Sequence, residues 1–117
     1  MKREEARKLT YLRILEQQKW WRSRSEGLIK VKSMERGHLL NTLAWLERNA
    51  DMFAAQLSAD ALSASLMAGD DPSDGVYFAM LGWEGEAEEA VADPVAWMRS
   101  RPLYRRMAEI AAIELQS

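Results

Sequence analysis

Leu39, Leu43, Leu46, Ala50, Phe53 and Leu57 follow one another at steps of three and four, and so share one narrow face of a helix. A stripe this long obliges the chain to find an apolar surface to cover it. The spacing predicts one long helix over 34–68. Ser33 stands as its N-cap, the stripe runs on through Asp51, and the Ala-, Ser- and Leu-rich stretch 59–68 extends it. Just upstream, 20–32 reads as a β-hairpin. Ile29 and Val31 alternate with Lys30 and Lys32 as in a strand with one buried face, and Gly27 can take positive φ in a tight turn. Two strands alone are marginal in water, so the hairpin is expected to lie on the long helix, with Trp20 or Trp21 making the contact.

Residues 2–19 read as one helix. Glu4 and Glu5 sit in its first turn, and Leu9, Leu12 and Leu15 form a stripe that Tyr11 and Ile14 widen towards more than one neighbour. The run Gly69-Asp70-Asp71-Pro72-Ser73-Asp74-Gly75 predicts a loop over 69–75. C-terminal helices are expected over 76–116: an apolar run before Gly82, an acidic stretch to Asp93, a short helix at 95–98 and a last one from Pro102. Leu103, Met107 and Ile110 of that last helix would face the core, and Pro94 and Pro102 suit first-turn positions. A chain of 117 residues suits a single domain with one core. The expected fold is therefore mainly α, a small helical bundle with an N-terminal β-hairpin packed on a long central helix.

Charge is distributed unevenly. Through Arg36 there are eleven Lys or Arg against five acids, whereas from Gly37 to Met98 the only base is Arg48 among many carboxylates. A basic front and an acidic middle can attract different partners or each other. The chain has no cysteine, which removes disulfides, thiolate nucleophiles and thiolate metal sites. No apolar run approaches the length of a bilayer crossing, and the charged N-terminus lacks a signal-peptide core. The expectation is a cytoplasmic protein with no membrane partner.

Motifs for chemistry are absent. His38 is the only histidine, near Thr42, Trp45 and Asn49 at helical spacing. It reads as a structural residue bonded across to the hairpin ahead of a ligand or base. No Ser lies in a Gly-x-Ser-x-Gly elbow, and the glycines match neither dinucleotide nor phosphate-loop spacing. Aligning Gly75 with the glycine of a calcium loop puts Pro72 and Leu81 where ligands belong. No catalytic residue, metal or cofactor is expected. What remains is a surface: Trp20, Trp21, Arg22, Arg24, Lys30 and Lys32 on the hairpin, with His38 and Trp45 beside it.

The central segment also resembles small proteins of actinobacterial bacteriophages and their prophages. The resemblance is carried by Trp21, Gly27, Ile29-Lys30-Val31, Met34, His38-Leu39, Asn41 and Leu46-Glu47-Arg48. The turn departs from that pattern, reading Ser25-Glu26-Gly27 where Lys-Asp-Gly is usual. The resemblance covers about a quarter of the chain and implies a small phage protein acting inside the host cell. It brings no reaction with it. The leading expectation is a non-enzymatic interaction protein that binds a host or phage protein and modulates it. The alternative is a nucleic-acid-binding accessory or regulatory protein using the basic hairpin. A hydrolase or nuclease built on His38 comes third, and a second copy of the chain is a further candidate partner.

Overall fold

A computed structural model describes residues 2–24, 26–67 and 85–111, with the backbone alone for 63–67. The expected loop 69–75, the apolar run 76–83 and the chain end beyond 111 lie outside the described residues. Within them the chain is mainly α, with seven α-helices and one two-stranded antiparallel hairpin. In order these are α1 (Arg3–Arg7), α2 (Tyr11–Ile14), β1 (Trp20–Ser23), β2 (Gly27–Lys30), a 3₁₀ turn (Val31–Ser33), α3 (Arg36–Arg48), α4 (Ala50–Met67), α5 (85–92), α6 (Pro94–Arg99) and α7 (Pro102–Ile110). Contacts divide the chain into two compact units, Met1–Arg48 with Arg99–Ser117, and Asn49–Met98.

In the first unit the expected helix 2–19 is two short helices. Thr10 is extended and caps α2, its hydroxyl accepting the Arg13 amide at 3.3 Å. A distant side chain supplies further donors to the carbonyls at and just after the end of α1. Arg22 Nη2 donates to the Ala6, Arg7 and Leu9 oxygens at 3.3, 3.1 and 2.7 Å. The break therefore has a donor built to satisfy it.

The hairpin pairs Trp20 with Lys30, Trp21 with Ile29, Arg22 with Leu28 and Ser23 with Gly27, which turns at φ +72°. Only glycine adopts that φ without steric cost. Strand pairing stops at Lys30, short of the predicted 32, because Val31 enters the 3₁₀ turn. Val31 is buried there, and its amide donates to the Lys19 oxygen at 2.9 Å. The hairpin buries both faces, not one: Trp20 and Trp21 alternate in direction along β1, and each is only 6% exposed. α1 packs on β2, while Trp21 meets Tyr11 of α2 and Trp45 of α3.

The helix predicted over 34–68 begins later and is interrupted. Ser33 belongs to the 3₁₀ turn, Met34 is extended, and the first α3 bond is Leu39 N–H to the Glu35 oxygen at 2.9 Å, so Glu35 holds the N-cap position. A turn at Asn49 separates α3 from α4. α3 buries Leu39, Thr42, Leu43 and Leu46, and α7 packs on it through Leu103, Tyr104, Met107 and Ala108. Ile110, expected inside, is only half-buried. Two polar ties join α7 to this unit: Leu103 N–H donates to the Leu15 oxygen at 3.0 Å, and Arg36 Nε to the Ala111 oxygen at 3.1 Å.

A third tie gives a pH dependence. The Tyr104 hydroxyl, 3.0 Å from Glu47 Oε1, donates to the oxygen that also accepts Arg99 Nε at 2.5 Å. Burial, then the hydrogen bond to Glu47 and the carboxylate's charge, holds the Tyr104 phenol above its ordinary range. With the folded value raised, the stabilising contribution is complete below about pH 10 and is lost as pH rises through the folded value. Tyr104→Phe is therefore expected to cost about 1 kcal/mol at neutral pH, and the gap to wild type should close in alkali. Denaturant titrations from about pH 8 to about pH 11 check this. A constant gap would contradict it.

In the second unit, α4, α5 and α6 bury Ala50, Phe53, Ala54, Ala61, Ala87, Ala90, Trp97 and Met98. Asp93 caps α6 ahead of Pro94, its carboxylate accepting the Ala96 amide at 3.1 Å. Trp97 Nε1 donates to Glu86 at 3.2 Å, so the buried indole has its partner.

Candidate interaction surface

The turn between α2 and β1 is set by one side chain. Gln17 Nε2 donates to the Ile14 and Trp20 oxygens at 2.8 and 2.6 Å, and its Oε1 accepts the Lys19 and Trp20 amides at 3.0 and 2.8 Å. Gln17 thus pairs with both main-chain groups of Trp20, as a neighbouring strand would. This fixes where the hairpin starts and where Lys19 stands.

The eight surface residues expected from sequence do not form one patch. Trp21 is interior, 6.3 Å from Tyr11 and 6.1 Å from Trp45 in an edge-on contact. Trp20 is covered, with Lys19 Nζ at 5.5 Å and Lys30 Nζ at 5.9 Å from its ring centre. Neither ring is an open stacking platform. Arg22 is committed to the α1 carbonyls and lies over the Tyr11 ring at 5.3 Å. Trp45 is half-buried, and Arg24 is exposed at the hairpin turn.

Lys30 and His38 do come together, at an open groove of about 520 Å³. Buried Met34 and half-buried Ile29 supply its apolar lining, while Glu26, Lys30, Ser33 and Glu35 are its exposed polar residues. His38 is half-buried at its edge. The hydrogen bond expected from His38 to the hairpin is not among those the described residues make. Lys32 lines a different groove with Gln17, Gln18, Lys19 and Arg106, about 330 Å³ in volume.

Ser33, Glu35 and His38 are the residue types of a nucleophile, an orienting acid and a base, and all three line the first groove. No hydrogen bond joins any two of their side chains, so the relay such a set needs is not assembled. Among the described residues no three His, Asp or Glu side chains stand together as a metal site, and no helix is long and apolar enough to cross a membrane. Sequence reading missed Glu26, Ile29, Ser33 and Met34 as site residues, and the Glu35–His38 pair at i, i+3, visible in the sequence, is of a kind common by chance. It also missed Gln17, Gln18 and Arg106. Arg106 arrives from the far end of the chain and has no local signal. The chain matches no protein-family model, no curated protein and no solved structure.

Proposed function

We propose that this is a non-enzymatic interaction protein of phage type that holds a segment of a host or phage protein in the groove beside the hairpin, in the cytoplasm of the host cell, and modulates the protein it holds. The observation that carries this reading is the lining of the groove. Met34 and Ile29 offer apolar contact, and Glu26, Glu35 and Lys30 present both signs of charge around them. A rim of mixed sign selects a polypeptide of complementary charge, whereas its carboxylates repel a polyanion. The hairpin wall is fixed in advance by Trp21, Arg22 and Gln17, which lowers the ordering cost of binding. The resemblance of the central segment to actinobacteriophage proteins supports the setting.

The test is affinity capture from actinobacterial lysate, with and without nuclease, read by mass spectrometry, with three baits. Wild type and Lys8→Glu, an exposed charge on the chain between α1 and α2, should enrich the same protein. Glu35→Lys should retain roughly ten-fold less, the loss expected when an interfacial charge pair is reversed. Equal capture by Glu35→Lys, or capture that disappears with nuclease, contradicts the groove. The second outcome would favour nucleic acid on the basic hairpin, where affinity would fall with salt and with Lys30→Glu and Lys32→Glu together.

A further inference from the structure

The second groove differs from the first in kind. Its lining holds three cationic side chains, Lys19, Lys32 and Arg106, with the Gln18 amide and no carboxylate. Among the described residues neither Lys19 nor Lys32 has a carboxylate partner. Arg106 meets Glu109 at 3.3 Å, an i, i+3 pair between a half-buried arginine and an exposed glutamate, and such surface pairs contribute little.

Like charges gathered at one place cost free energy, and here rigid elements enforce the gathering. The Val31 amide bonds the Lys19 oxygen at 2.9 Å, which ties the two lysine-bearing segments together. Gln17 fixes the Lys19 amide from the other side. α7 packs on the 3₁₀ turn that carries Lys32, which brings Arg106 up. The segments that carry the three cations are therefore held together before any ligand arrives, and all three side chains line the one groove. That is the arrangement suited to a compact, multiply charged oxyanion.

We propose that this groove binds a phosphate group of a small molecule, a phosphomonoester or pyrophosphate, separately from the protein-binding groove. A compact ligand is favoured over a nucleic-acid strand because no aromatic ring lines the groove, and Trp20, beside Lys19, lies under Lys19 and Lys30 and is 6% exposed, with no face open to a base.

The experiment titrates the full chain with inorganic pyrophosphate at low ionic strength, followed by calorimetry and by tryptophan fluorescence. Wild type should bind saturably, at one site, and more weakly as salt is added. Lys32→Gln and Arg106→Gln should each weaken binding roughly ten-fold, the loss of one charge-assisted contact. Arg105→Gln, which removes an exposed charge of the same helix that does not line the groove, should leave binding unchanged. Circular dichroism confirms that each variant is folded, and Lys32, exposed on its turn, carries the test if Arg106→Gln is not. Absence of saturable binding overturns the proposal, as does equal weakening by Arg105→Gln, which would mean diffuse attraction only. An oligonucleotide forms the second arm. Binding much tighter than that of pyrophosphate would assign the groove to a nucleic-acid surface and overturn the small-molecule reading.

Discussion

Trp21→Ala is expected to remove about 3–5 kcal/mol of stability, the range for truncating a buried large aromatic. A domain of this size has only about 5–15 kcal/mol in total, so the variant should be largely unfolded near physiological temperature. The ring is 6% exposed and touches Tyr11 from α2 and Trp45 from α3, so one side chain joins three elements. Trp21→Phe should recover much of the loss, because an aromatic edge can still meet Trp45 while part of the volume is kept. Chemical denaturation of the three proteins measures this. A loss below about 1 kcal/mol for Trp21→Ala would mean that the hairpin is held by its covered outer face, through Trp20 and Arg22, and not by Trp21.

The hairpin was legible because its information is local: Gly27 at the turn and alternation along the flanking residues are complete within a few positions. The interruption at Asn49 was not legible, since Leu39, Leu43, Leu46, Ala50, Phe53 and Leu57 keep helical phase across one turn residue. Periodicity records phase, not continuity. The break between α1 and α2 left a signal in Thr10, but the apolar stripe on both sides of it masked the cap. Arg22 looked like a surface cation because the carbonyls it satisfies lie thirteen to sixteen residues upstream. The tryptophan pair misled for a related reason. Strand alternation sends the two rings to opposite faces, and only tertiary packing decides whether both faces are covered. The surface residues themselves were partly legible, Lys30 and His38 meeting in one groove and Lys32 standing in the other. Which cations would assemble depended on α7, whose place no local pattern encodes.

Gln17→Ala should cost about 2–4 kcal/mol, although it removes no charge and little apolar area. Only one orientation of the amide satisfies all four neighbours, since Nε2 faces two carbonyl oxygens and Oε1 faces two amides. Truncation leaves both main-chain groups of the buried Trp20 without that partner, and each lost bond contributes roughly 1 kcal/mol where water can partly replace it. Gln17→Glu separates hydrogen bonding from packing. It keeps the volume and the acceptor but sets a carboxylate against the Ile14 and Trp20 oxygens. It should therefore be no more stable than Gln17→Ala at neutral pH, and it should recover in acid as the carboxyl gains a proton to donate. A Gln17→Glu protein as stable as wild type at neutral pH would show that the donor half of the amide contributes nothing. The same residue links stability to the proposed anion site. Because Gln17 holds the Lys19 amide, Gln17→Ala should weaken pyrophosphate binding with every cation still present, whereas Trp21→Ala acts on the hairpin's other face. Gln17 also lines that groove, so loss of anion affinity in a folded Gln17→Ala protein would mean that the cations alone do not make the site and that Gln17 is part of it.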